Sequence, residues 1–187
     1  MRADARRNYD RLVAAAREEF AGRAGAASIE DIARRAGVGV GTLYRHFPRR
    51  IDLIEAVYST DIDTLVAVAD DADELPDAFE GLELWLRAFV RYAESKRVLL
   101  NELHEAFERN PHLRVQLRER MLAAAGRVVD RARAAGAVRP DLTAADLLQL
   151  VGGMCMSATA QPGQNERLLG FVLAGIRDGA SLPGPTR

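Results

Sequence analysis

Two short apolar-periodic segments, Ile29–Ala36 and Val40–Phe47, lie only three residues apart, and no other feature of the chain constrains its fold as tightly. A helix of about two turns does not persist alone in water, so each segment must be held by packing. In the first, Ile29, Ile32, Ala33 and Ala36 share one helical face. Ser28, with Asp31 three residues on, makes a capping-box-like start. Gly37-Val38-Gly39 breaks the run, and Val40, Leu43, Tyr44 and Phe47 mark the second segment. Helices that cross this closely need a small residue at the crossing, here Ala33, and a turn residue that tolerates positive φ, here Gly37. Ile32, Val38 and Leu43 are the expected anchors. With its anchors buried on one side, the second helix can offer the other to a DNA major groove. Spacing alone leaves an ordinary short helix pair equally open.

Helical periodicity continues through the rest of the chain, with no convincing strand, and predicts an all-α protein of roughly nine helices. Tyr9, Val13, Ala16 and Phe20 place a first helix over about Arg6–Arg23. Pro48 suits the first turn of a fourth helix, expected from there to about Ala69. The acidic run Asp70–Glu74, closed by Pro76, reads as a surface loop. Further helices are expected around Asp77–Glu94, Arg97–Glu108, Leu113–Ala135, Thr143–Ala160 and Asn165–Arg177. These give a DNA-binding domain over 1–50, a helical body over 51–180 and a disordered tail over 181–187.

Charge is distributed unevenly. Residues 1–50 carry eleven arginines and no lysine against six acids, a balance of +5, while the remainder carries fifteen basic and twenty-one acidic groups, a balance of −6. A basic head on an acidic body points towards nucleic acid. Cys155 is the only cysteine, which excludes an intramolecular disulfide and a thiolate zinc cage. The polar, Arg-rich start is not a signal peptide, and no apolar run approaches the roughly 18 residues of a membrane span. A cytoplasmic protein without membrane contact is expected.

The stretch Gly37-Val38-Gly39-Val40-Gly41-Thr42-Leu43-Tyr44-Arg45-His46-Phe47-Pro48-Arg49-Arg50 resembles the signature of the tetracycline-repressor (TetR) family, and Ser28–Ala36 resembles that family's first motif helix. The resemblance covers both halves of a helix-turn-helix and implies a ligand-responsive transcriptional regulator, most often a repressor, rather than an enzyme. It implies a DNA-binding set of Ser28, Gly39, Val40, Gly41, Thr42, Tyr44, Arg45, His46 and Arg50. In it Thr42, Tyr44 and His46 touch the backbone or nearby bases, and Gly41 permits close approach. Arg50 grips phosphate at a helix start. Arg45, at a variable position, is the candidate base contact, since arginine pairs bidentately with guanine. Gly39 departs from the family, which has Ser or Thr there, and so removes a hydroxyl cap.

In the body, the last two expected helices are apolar on more than one face, which points to a homodimer. Leu147, Val151, Leu168, Leu169, Val172 and Ile176 are its candidate contacts. Two heads then predict a pseudo-palindromic operator on double-stranded DNA. The resemblance further implies an unidentified, largely apolar small-molecule effector. Its candidate pocket residues are Trp85, Phe89, Tyr92, His104, Phe107, Met121, Met154 and Met156, and any of these also suits an ordinary core. No cofactor is expected. The competing reading is a helical metal-binding or enzymatic protein with a degenerate head, built on His104, Glu108 and His112. It lacks a second ligand cluster and a nucleophile–base or phosphate-loop motif.

Overall fold

In a computed structural model the described residues are 2–22, 27–97, 99–157, 161 and 163–177. They form nine helices: α1 (Arg2–Gly22), α2 (Ile29–Ala36), α3 (Val40–His46), α4 (Arg50–Glu74), α5 (Ala78–Arg97), α6 (Leu100–Arg109), α7 (Pro111–Ala134), α8 (Ala144–Cys155) and α9 (Gln164–Ile176). The all-α expectation holds among these residues, where extended pairing is limited to one isolated bridge between Val138 and Arg177. No helix is long and apolar enough to cross a membrane among the described residues. The expected disordered tail at 181–187 lies outside them.

The chain packs as two units, Met1–Asp63 with Ser95–Leu117, and Thr64–Glu94 with Arg118–Arg187. The first unit is organised around α1. Its residues Leu12, Val13, Ala16 and Phe20 recur every three or four positions and are all buried. They meet Ile32 and Ala33 of α2, Leu43 of α3, Leu53, Ile54 and Val57 of α4, and Leu103 of α6 in one apolar cluster. Each of the Val, Leu, Ile and Phe side chains contributes about 1.5–3 kcal/mol by leaving water, which is what holds helices as short as α2 and α3.

A polar group is also buried in this unit. Lys96, the chain's single lysine, and Asp61 are 6% and 3% exposed, with Nζ donating to Oδ2 at 2.5 Å. Arg17 Nε lies 2.7 Å from the other carboxylate oxygen, a charge contact without hydrogen-bond alignment. The Lys96 ammonium also sits 4.9 Å from the Tyr58 ring centroid. Burial pushes the Lys96 ammonium below its ordinary range, and the neighbouring Asp61 carboxylate opposes that shift.

In the second unit the buried apolar side chains include Trp85, Leu82, Leu86 and Val90 of α5, Leu65 and Ala69 of α4, Val128 and Ala132 of α7, and Leu147, Val151 and Leu169 of α8 and α9. Trp85 Nε1 donates to the Leu65 carbonyl at 3.0 Å, which satisfies its one donor inside the core. At Gly81 an added Cβ would stand 2.8 Å from the Ala72 carbonyl oxygen, so only glycine lets α5 pass α4 at that distance.

One expected loop is helix instead. α4 continues through the acidic run to Glu74. Ala69 and Ala72 are buried beneath it, while Arg127 of α7 pairs with Asp70. Arg131, four residues on, donates to the carbonyls of Ala72 and Leu75 and so closes the exposed end of the helix. Cations supplied by a helix more than fifty residues away neutralise a sequence that reads locally as a loop.

Candidate nucleic-acid interface and cavity

α2 and α3 are set by their caps and their turn. Ser28 Oγ accepts from the Asp31 N–H at 3.0 Å, as the capping-box reading expected. Gly37 is left-handed at φ 62°, and the Gly37 and Val38 amides donate to the Arg34 and Ala33 carbonyls at 3.1 and 3.0 Å. α3 begins at Gly39, whose carbonyl accepts from Thr42 and Leu43 but which supplies no side-chain cap.

Leu43 is fully buried and Phe47 nearly so. Tyr9 of α1 packs against the Phe47 ring, centroids 5.1 Å apart, and edge-on to His46 at 6.2 Å. With that side anchored, the opposite face is in water: Gly39, Val40, Gly41, Tyr44 and Arg45 are exposed, and Thr42 and His46 are half-buried.

The arginines of the head divide by partner. Arg34 pairs with Asp31, Arg35 with Glu18 and Glu19, and Arg49 with Asp52. The Arg49 hydrogen bonds hold the Asp52 carboxyl below its ordinary range. Arg50 turns inward: Nη1 donates to the Ala27 carbonyl, and the guanidinium lies 4.8 Å from the Phe20 ring centroid. That ties the start of α4 to the segment before α2, so this side chain has a structural task besides the phosphate grip expected of it. Arg45 has no hydrogen bond or ion pair to another described residue.

The second unit contains a cavity of about 300 Å³, lined by Phe89 of α5, by Arg118, Met121 and Leu122 of α7, and by Ala145, Leu148 and Gln149 of α8. Of the eight pocket residues expected from sequence, Phe89 and Met121 line it. Trp85 and Tyr92 do not line it but stack on Phe89, with centroids 5.5 and 5.8 Å away. Met154 and Met156 are half-buried and exposed at the end of α8. His104 and Phe107 belong to the first unit and are not brought to this cavity. His104 is exposed beside Glu108, Nε2 to Oε1 3.3 Å, and Phe107 packs edge-on against Tyr58 at 5.1 Å. The other five lining residues, Arg118, Leu122, Ala145, Leu148 and Gln149, are not in the expected set, because periodicity marks neither which apolar nor which polar residues border a void. Among the described residues no group of three or more His, Cys, Asp or Glu is placed to hold a metal ion.

Of the expected dimer contacts, Leu147, Val151, Leu169 and Ile176 are buried within the chain itself, at 2, 0, 0 and 6% exposure. Leu168 and Val172 are half-buried. The apolar surface of α8 and α9 consists instead of Leu150, 55% exposed, and Phe171, 68% exposed, beside Gly170, Ala174 and Gly175. The helical period carries this signal: once 165, 169, 173 and 176 face inward, 167, 171 and 174 face outward.

Residues 12–57 match the family model for bacterial regulatory proteins of the tetR family, and residues 76–178 match that for the C-terminal domain of SbtR-like transcriptional regulators. The chain is similar over 92% of its length to 99% of the crystallised TetR transcriptional regulator SCO0520 from Streptomyces coelicolor, at 36% identity and a TM-score of 0.80. It is similar over 94% of its length to 98% of a TetR transcription regulatory protein from Mycobacterium vanbaalenii, at 30% identity and a TM-score of 0.73. No curated protein sequence matches it. Exposed α3, its anchored partner α2 and these matches at both ends agree, and the chain belongs to the TetR family of transcriptional regulators.

Proposed function

We propose that the protein is a repressor that binds a pseudo-palindromic operator as a homodimer and leaves it when a small effector enters the cavity of the second unit. The observation that carries this reading is the free face of α3, where Val40, Tyr44 and Arg45 stand in water while Leu43 and Phe47 fix the helix from behind. Arg45, without a protein partner, is the base reader. Thr42, Tyr44 and His46 position the helix on the backbone, joined by Gly39, Gly41 and the Ser28 hydroxyl at the start of α2. The exposed Leu150–Phe171 surface supports the dimer, because an aromatic ring left in water on a helix already apolar inside marks an association face. Two heads on such a dimer read half-sites with centres about 34–36 Å apart, or a multiple of that.

α4 supports the route from effector to DNA. It is one continuous helix whose Leu53–Val57 turn lies in the core of the first unit and whose Leu65–Ala72 turns lie in the core of the second. An effector that shifts the packing of the second unit biases α4, and with it the spacing of the two heads.

Anisotropy titrations on DNA upstream of the protein's own gene and on random duplex, at several salt concentrations, test the reading. Specific binding about 10³-fold or more above random DNA is expected. Equal, weak binding to both that vanishes at moderate salt would refute a sequence-reading head acting at that site.

A further inference from the structure

We infer that the effector is a small amphipathic anion, an aromatic or arylalkyl carboxylate, held with its carboxylate on Arg118 and its ring against Phe89. The inference rests on the cavity being the effector site and deepens that reading. Phe89, Met121, Leu122, Ala145 and Leu148 give the cavity an apolar wall, and Arg118 and Gln149 are its polar lining. No acid is among the lining side chains. The Arg118 side chain has no hydrogen bond or ion pair to any other described residue, nor has that of Arg114 one turn before it, but of these two only Arg118 borders the cavity; farther along the helix Arg127 pairs with Asp70, Arg131 with the Ala72 and Leu75 carbonyls, and Arg133 with Asp130.

An arginine at the rim of an apolar cavity sets the sign of what enters. It repels a cation and gives a neutral apolar body nothing beyond contact area. To a carboxylate it offers a planar fork of donors that matches both oxygens. The cavity is at the small end for ligand sites, which suits a single ring with a short acidic arm. Phe89 supplies the ring's partner. It is buried and stacked with both Trp85, at an interplanar angle of 8°, and Tyr92, so a ligand ring meets an aromatic side chain held in place by its neighbours.

The same geometry supplies the readout. Trp85 is the chain's only tryptophan, and its stacking on Phe89 places it one ring from the cavity. The full-length protein is titrated with 4-phenylbutyrate, 4-phenylbutanol and 4-phenylbutylamine while Trp85 emission is followed in the absence of DNA. The carboxylate is expected to bind about tenfold or more tighter than the alcohol, and the amine more weakly than either. Arg118→Gln should bring carboxylate and alcohol to parity, and Arg118→Lys should keep part of the difference. Ala145→Trp, at an exposed lining position, should block all three without loss of helical content. Equal affinities in the wild type, or a preference that survives Arg118→Gln, would overturn the inference. The binding is read without DNA. A carboxylate that binds through Arg118 but leaves the operator complex intact therefore refutes release by the effector and leaves the ligand assignment standing.

Discussion

Arg45 and Lys96 show how one side chain's surroundings decide its role. Arg45 stands on the exposed face of α3 without a partner, and the role proposed for it is a contact to DNA. Arg45→Ala should relax base preference at one position of each half-site by roughly 1–3 kcal/mol, read from binding to operators varied at single positions. Uniform weakening on every sequence would assign it to phosphate. Lys96 is the opposite case, enclosed with Asp61. Lys96→Met leaves a buried carboxylate with Arg17 alone and should lower unfolding free energy in urea by about 3 kcal/mol, at the lower end for a broken buried pair because Arg17 remains. The pH dependence has a definite sign. The folded-state affinity of Lys96 for its proton is depressed, so between that lowered value and 10.5 the unfolded chain binds more protons than the folded one. Wild-type stability relative to Lys96→Met therefore rises with pH across that window. A loss under 1 kcal/mol would contradict the pairing, and a difference that shrinks with alkalinity would mean that the Asp61 carboxylate outweighs burial at Lys96.

At the scale of elements, α9 makes the sharpest prediction. Leu169 faces inward and Phe171, two residues on, faces water. Phe171→Asp should sediment as a monomer with helical content retained, whereas Leu169→Asp should lose the fold, since it buries an unpaired charge. A Phe171→Asp protein that still sediments as a dimer would remove this face from the interface. The elements also show what was legible in the sequence. α2, the Gly37 turn and the anchors Ile32 and Leu43 were readable because caps, small crossing residues and positive φ are local demands with few solutions. The extension of α4 through Asp70–Glu74 was not, because the cations that stabilise it come from Arg127 and Arg131. The excess of apolar residues on α8 and α9 was visible, but their phase was set by packing within the second unit, so four inward residues were read as surface. The cavity's aromatic wall was partly legible and Arg118 was not, because a void has no sequence periodicity.

At the scale of the whole molecule, the unequal charge of head and body anticipated a DNA-binding end and a separate body. The packing divides differently from a cut at residue 50, grouping Ser95–Leu117 with the first sixty-three residues, and this follows from Leu99 and Leu103 entering the head's core. α4 contributes buried residues to both units, Leu53–Val57 to the first and Leu65–Ala72 to the second, and under the proposed function it carries effector occupancy to the head. The central claim is that two copies of this chain present two α3 helices to one operator. Footprinting on the upstream DNA tests it most directly. The account predicts protection of an inverted repeat whose half-site centres are about one helical turn or a multiple apart, with both halves lost together in Phe171→Asp. Protection of a single half-site by wild-type protein, or an inverted-repeat footprint unchanged in Phe171→Asp, would contradict it.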